Sequence, residues 1–127
     1  MTRVGVENPF VLHEGAAETW AFIERNVLES GLVDRPLKEL CFAYVAEPDA
    51  IDLERHDCRE RAALDWAYAI VWDPDTATDE LWARLHEQFS EPELVELGCA
   101  IGFELGRQHF LCSLDADAGV VRASQLR

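Results

Sequence analysis

The sequence predicts a single, soluble, all-α domain, a compact bundle of about five helices. Apolar residues recur at helical spacing in five segments, and no segment shows the apolar–polar alternation that is typical of a half-buried strand. Proline, glycine and capping residues separate the segments, at the points where helices are expected to begin and end. The chain has 127 residues, of which 49% are hydrophobic, so one domain can form a core without disulfides or metal.

The first two helices are predicted from their apolar stripes and from the residues that bound them. The first covers residues 14–30, and Gly31 follows in the position of a C-terminal cap, which favours glycine because the backbone there adopts a positive φ. The second begins around Pro36, since proline is tolerated in the first turn of a helix, and it ends before Pro48.

A third helix is predicted to follow the acidic connector 47–52 and to end near Trp72. Residues 62–71 are apolar on most sides of this helix, which is typical of a central, buried helix. The fourth helix begins at a cap formed by Thr76 or Thr78, because threonine side chains accept hydrogen bonds from the N–H groups of a first turn.

The fifth helix begins at a capping box in residues 90–93, Ser-Glu-Pro-Glu, and continues to about residue 114. Gly98, Gly102 and Gly106 stand four residues apart in it. Each glycine costs about 1 kcal/mol relative to alanine inside a helix. We therefore expect this stripe to permit a tight contact, either within the chain or between subunits.

Residues 1–114 are predicted to form one domain, and residues 115–127, which are small and polar, are predicted to form a flexible tail. The formal net charge is −14, from 25 acidic and 11 basic residues. This charge disfavours nucleic acid and membrane surfaces as partners, since both are anionic. No signal peptide or membrane-spanning run is recognised, so we expect a cytoplasmic protein.

The four cysteines, Cys41, Cys58, Cys99 and Cys112, form no recognisable redox or metal-binding motif. In a reducing compartment each is expected to be a small buried hydrophobic residue. One alternative stays open, because Cys58 follows His56 by two residues and a neighbouring imidazolium lowers the pKa of a thiol. Cys41 is then the candidate to approach Cys58 in space.

Three segments resemble, in their order and character, the carboxymuconolactone decarboxylase-like family, which includes the alkylhydroperoxidase D proteins. They are residues 31–40, residues 60–67 (Glu-Arg-Ala-Ala-Leu-Asp-Trp-Ala), and residues 89–97 followed by 101–103. The resemblance covers about residues 14–114. It implies an alkylhydroperoxidase D-like helical fold that assembles into homo-oligomers.

In the peroxidase branch of this family, a Glu is followed some dozen residues later by Cys-x-x-Cys-x-x-x-His. The resemblance implies that Glu39 and His56 occupy the Glu and His positions, whereas Asp49 and Asp52 stand where the cysteines would be. Thiol peroxidase activity of the family type is therefore not expected. A helix would align both aspartates with His56, but aspartates at helix starts are mainly caps, so no metal site is predicted.

Three functions are retained as hypotheses, none of which requires a cofactor. The first is a non-redox small-molecule enzyme of this superfamily, with Glu39 as acid or base and His56 in support, in a reaction such as decarboxylation or isomerisation. The second is a non-catalytic oligomeric module that binds a ligand or partner. The third is a thiol-dependent reductase using Cys41 or Cys58. A pocket shared by Glu39 and His56 would favour the first, and a solvated Glu39 the second.

Overall fold

Five α-helices make up most of the chain that the computed structural model describes, which is residues 8–114. No β-strand occurs among these residues, so the predicted all-α bundle of five helices is confirmed. Residues 115–127, with the predicted flexible tail, lie outside the described residues. The helices are α1 (Glu14–Ile23), α2 (Arg35–Ala46), α3 (Cys58–Val71), α4 (Asp79–Gln88) and α5 (Glu91–Ser113).

The first predicted helix is found, with one irregularity near its end. The N-terminus of α1 is capped by His13, whose Nδ1 accepts a hydrogen bond from the Ala16 N–H at 3.0 Å. After α1 the chain continues as one π-helical turn, Glu24–Leu28. Gly31 then adopts a φ of 123°. Residues with a Cβ rarely adopt such a φ, so the structure explains why glycine stands here.

The start of α3 differs from the prediction. Instead of a helix directly after the acidic connector, the chain forms two short 3₁₀ turns, Pro48–Ala50 and Leu53–Arg55, and α3 begins only at Cys58. The Asp57 carboxylate accepts from the Glu60 N–H at 2.8 Å, and the Glu60 carboxylate accepts from the Asp57 N–H at 3.2 Å. This capping box satisfies two N–H groups and thereby fixes the first turn of α3.

The predicted central position of α3 is confirmed, because it packs against α2, α4 and α5. Ala62, Ala63, Leu64 and Ala67 are completely buried in this contact. Three of these four side chains are a single methyl group, which lets the neighbouring helices lie close to the α3 backbone. Most of the remaining core comes from the inner faces of α2, α4 and α5.

The caps of the last two helices agree with the sequence. Of the two threonines considered for α4, Thr78 is the cap, since its Oγ1 accepts from the Leu81 N–H at 3.2 Å. In the capping box of α5, Ser90 Oγ accepts from the Glu93 N–H at 3.3 Å and Glu93 Oε1 accepts from the Ser90 N–H at 2.8 Å. None of the helices in residues 8–114 combines the length and apolarity needed to cross a membrane.

The inner face of α5 contains two charged residues. Glu104 and Arg107 are 1% and 2% exposed. Arg107 Nε donates to Glu104 Oε2 at 3.0 Å, and the second guanidinium nitrogen contacts the other carboxylate oxygen. This bidentate geometry is the arrangement in which a buried Arg–carboxylate pair is best compensated for its lost hydration.

Candidate functional site

The predicted catalytic residue Glu39 lies on α2, and 39% of its side chain is exposed. Arg35 Nε, one turn earlier, donates to Glu39 Oε1 at 3.4 Å. The carboxylate therefore lies at the surface in an i,i+4 ion pair. An ion pair of this kind is weak and screened by solvent, and it does not require a catalytic role.

His56, the second predicted catalytic residue, ends the 3₁₀ turn before α3. Its Nδ1 lies 3.6 Å from Glu60 Oε2. The expected alignment with Asp49 and Asp52 on one helix is wrong, because α3 begins after all three residues. Asp52 instead caps its own turn by accepting from the Glu54 N–H at 3.0 Å. Within residues 8–114, no three His, Cys, Asp or Glu side chains are grouped to hold a metal ion.

All four cysteines are reduced, and their exposure differs from the expectation that each is buried. Only Cys41 is buried, with none of its surface exposed. Burial, and to a lesser extent the nearby Asp34 carboxylate, raises the pKa of Cys41 to about 12. Cys41 therefore stays protonated at neutral pH, where a nucleophilic cysteine must be a thiolate. The other three cysteines, Cys58 included, are exposed.

A polar cleft of about 340 Å³ opens between α2, α3 and α4. Its walls include Tyr44, Tyr68, Asp65 and Arg84. Arg84 donates to the Asp65 carboxylate at 2.8 Å, so the two charges in the cleft already neutralise each other. Burial, followed by the Asp65 charge, raises the pKa of Tyr44, which keeps its phenol protonated. The cleft offers hydrogen-bonding groups but no unpaired charge among these four residues.

A second, mainly apolar cavity of about 480 Å³ lies between α3, α4 and α5, and we call it the aromatic groove. This volume falls within the range of about 300–1,000 Å³ that is usual for small-molecule sites. Each of the three helices contributes side chains that are half-buried or exposed. The residues that line the groove are Trp66, Trp82, His86, Glu91, Leu94, Val95, Gly98 and Cys99.

Three rings form one wall of the aromatic groove. The indoles of Trp66 and Trp82 meet edge-on, with centroids 5.3 Å apart and an interplanar angle of 63°. The His86 ring lies 5.8 Å from Trp82, and its Nδ1 is 3.0 Å from the Trp82 carbonyl oxygen. Edge-on contact leaves part of each π face free for a ligand.

Gly98 explains how the groove reaches the Trp66 indole. A Cβ at this position would lie 3.0 Å from Trp66 Cη2. The predicted tight contact of the glycine stripe is therefore found within the chain at Gly98, although the neighbour is an indole rather than a backbone. At Gly102 and Gly106 an added Cβ would meet nothing within 4 Å, so these two glycines make no such contact within the described chain.

A buried ion pair next to the C-terminal end of α1 was not anticipated from the sequence. Lys38 is completely buried; its Nζ lies 3.2 Å from Glu96 Oε2 and donates to the Ser30 carbonyl oxygen at 2.8 Å. The Glu96 carboxylate also accepts from the N–H groups of Leu32 and Val33, at 3.0 and 2.7 Å. These bonds tie the loop after α1 to α2 and α5, so their role is structural.

Neither Glu39 nor His56 lines the polar cleft or the aromatic groove. From the sequence alone, Trp66 and Trp82 are expected to be core residues rather than a ligand platform. The signal that they line a groove is their position on two different helices opposite Gly98, which only the fold reveals.

Compared with known proteins, the chain matches no family model, and neither curated proteins nor solved structures give a match. The resemblance to the carboxymuconolactone decarboxylase-like family therefore stays a prediction.

Proposed function

We propose that this chain is a non-catalytic helical binding domain that holds a small apolar ligand with a cationic end in the aromatic groove. The observation that carries the proposal is the groove itself, where two edge-on indoles face a cavity of ligand size. Aromatic faces attract cations through the quadrupole of the ring, most strongly for tryptophan.

Charge at the mouth of the groove favours the same class of ligand. Glu91 lines the groove with 86% of its side chain exposed, and His86 Nε2 lies 4.0 Å from it. The whole chain carries a net charge of −14. A negative surface potential raises the local concentration of cations and lowers that of anions, so an amine or a quaternary ammonium group suits the groove better than a carboxylate.

The positions of the predicted catalytic residues favour binding over acid–base catalysis. General acid–base chemistry needs the proton-transferring groups within hydrogen-bond reach of one substrate. Glu39 is paired with Arg35 at the surface, and His56 lies near Glu60 beside a different helix. Catalysis by Glu39 and His56 stays a prediction that neither cleft supports.

Tryptophan fluorescence tests this proposal with a matched pair of ligands, benzyltrimethylammonium and its neutral carbon isostere. We expect the cation to quench the fluorescence with a saturable dependence on concentration and to bind more tightly than the isostere. Trp82→Ala should weaken binding of the cation at least about tenfold, because a desolvated cation–π contact contributes up to about 2 kcal/mol. Trp72→Ala is the control, because Trp72 is 55% exposed and does not line the groove.

A charge variant separates attraction by Glu91 from general acidity. Glu91→Gln should weaken binding of the cation about two- to fivefold, as expected for an exposed ion pair, and should leave the neutral isostere unaffected. Glu87→Gln removes an equal charge from the exposed surface of α4 outside the groove and should have no effect. Failure of both ligands to bind at millimolar concentration, with the protein folded, would refute the proposal.

A further inference from the structure

The solvent-exposed side of α5 is unusual for a chain of this charge. From Val95 to Ser113, no exposed residue of α5 is Asp, Glu, Lys or Arg, although 28% of the whole chain is charged. We call the apolar strip on this side the outer face of α5; it consists of Val95, Cys99, Gly102, Phe103, Gly106 and Phe110. Val95, Phe103 and Phe110 are 67%, 40% and 45% exposed.

The polarity of α5 is reversed relative to a surface helix. The charged residues of its second half, Glu104 and Arg107, are buried, while Phe103 and Phe110 face solvent. A surface helix of a monomeric protein normally turns its apolar side to the core and its charges to water. Exposed apolar patches on folded proteins mark contacts with other molecules. The outer face of α5 thus has the character of a buried surface.

We infer that the outer face of α5 is a homodimer interface, in which α5 packs antiparallel against α5 of a second copy. Charge permits this occupant only on an uncharged surface. Each copy carries −14, so two copies repel one another wherever acidic surfaces meet, whereas the outer face brings no carboxylates together. Like-charge contacts across an interface cost several kcal/mol, which makes an uncharged face the favourable place for self-association.

The order of large and small residues also fits a second copy. A two-fold axis between Gly102 and Phe103 places Phe103 opposite Gly102 of the other copy, Cys99 opposite Gly106, and Val95 opposite Phe110. Each ring then meets a smaller residue. At both glycines the space beyond the backbone is open, so a ring from the second copy has room there. Self-complementarity of this kind is the property that a two-fold interface requires.

The apolar surface extends beyond α5. Phe10 packs against Phe110 with ring centroids 5.8 Å apart, and the neighbouring Val11 and Leu12 are 56% and 59% exposed. The α5 strip alone is about 24 Å long. The strip and the turn at residues 9–12 offer only a small apolar surface, so we expect a small interface and a dimer that dissociates in the micromolar range.

Sedimentation velocity over 1–500 μM tests this inference, with a monomer of 14.4 kDa and a dimer of twice that mass as the two species. Phe103→Glu should raise the dissociation constant at least about 100-fold, because it removes a ring and brings two carboxylates together. Trp72→Glu makes the same kind of change at an exposed aromatic residue away from α5 and should leave the dimer intact. Gly102→Glu repeats the test should Phe103→Glu fail to fold, because a Cβ at position 102 would meet nothing within 4 Å.

Mild oxidation tests the antiparallel arrangement. Cys99 of one copy should form a disulfide with the thiol introduced by Gly106→Cys in the other, and Cys99→Ser in that background should abolish the crosslink. Each of three results would overturn the inference. They are a chain that stays monomeric at 500 μM, a dimer that neither glutamate substitution weakens, and a crosslink that joins two Cys99 residues rather than Cys99 and the thiol at position 106. Val95 and Cys99 line both the outer face of α5 and the aromatic groove, so ligand binding is measured on the Phe103→Glu variant, which is expected to be monomeric, and does not decide the inference.

Discussion

Glu96→Gln is expected to be the most informative perturbation of stability, because it leaves the buried Lys38 ammonium without its counter-charge. In the native chain Lys38 Nζ lies 3.2 Å from Glu96 Oε2, and Lys38 has no exposed surface. Removing one partner of a buried ion pair costs about 3–5 kcal/mol. Glu96 is itself 15% exposed, and glutamine keeps one oxygen for the backbone N–H donors, so we expect about 3 kcal/mol.

This loss is large relative to the stability of a domain of this size, which is about 5–15 kcal/mol. At about 4 °C for each kcal/mol, the midpoint of thermal unfolding should fall by about 12 °C. Lys38→Met should cost less, about 1–2 kcal/mol, because the Glu96 carboxylate keeps the N–H groups of Leu32 and Val33 as donors. The double variant should be more stable than the sum of both single effects predicts.

The pH dependence of the same pair has a definite sign. Burial alone would raise the pKa of Glu96, but hydrogen bonds from the Val33 and Leu32 N–H groups and the Lys38 charge outweigh it and lower the pKa below its ordinary 4.5. Glu96 therefore stabilises the fold fully above about pH 4.5, and this stabilisation is lost as the pH falls through the lowered value. The stability difference between the native chain and Glu96→Gln should shrink in acid.

Chemical denaturation at pH 7 and at pH 3 measures both effects. Glu87→Gln is the matched control, since Glu87 is exposed on α4, and it should change stability by less than about 0.5 kcal/mol. Equal stability of Glu96→Gln and Glu87→Gln would refute the reasoning. A Lys38→Met variant that is less stable than Glu96→Gln would also refute it, because the reasoning assigns the loss of stability to a buried Lys38 ammonium without a counter-charge.

Three further predictions concern Gly31, Asp57 and the four cysteines. Gly31→Ala should destabilise the fold by about 2 kcal/mol or more, measured by thermal unfolding, since φ is 123° and the added Cβ would lie 1.8 Å from Glu96 Oε1. Asp57→Ala should cost about 1 kcal/mol by removing the capping box with Glu60. In a thiol titration at pH 7, the three exposed cysteines should react while Cys41 stays protected until unfolding. Rapid modification of Cys41, or of Cys58 well ahead of Cys99 and Cys112, would support the thiol-reductase hypothesis.

The helices could be predicted because their signals are local. Caps such as Thr78 and Ser90 bond to N–H groups three residues away. The predicted cap position of Gly31 is not found, because the first helix ends at its cap residue Glu29 and Gly31 lies two residues beyond it. The start of α3 was misplaced because several aspartates precede it and each is a plausible cap. Of these aspartates only Asp57 has a Glu three residues later, which is the spacing of a capping box, and the structure shows the reciprocal bonds between Asp57 and Glu60.

The candidate sites could not be predicted in the same way, because their residues meet across long stretches of sequence. Lys38 and Glu96 pair across two helices that are far apart in the chain. The sequence around either residue therefore does not predict its partner. The aromatic groove needs Trp66 on α3, Trp82 on α4 and Gly98 on α5. Hydrophobicity indicates that tryptophans are buried, but not that a cavity lies beside them.

The orientation of α5 shows why periodicity alone was insufficient for this helix. Apolar residues occur on both of its sides, Leu97 and Ile101 on one and Phe103 and Phe110 on the other, so a helical wheel does not say which side faces the core. Leu97, Ala100 and Ile101 on the first side are completely buried in the core that α5 shares with α2 and α3. The same rotation turns Glu104 and Arg107 inward, and their bidentate bond compensates part of the cost of burying them. Close packing and ion pairing thus fix α5 in the rotation that leaves its phenylalanines outside, and an exposed apolar strip follows from the requirements of the core.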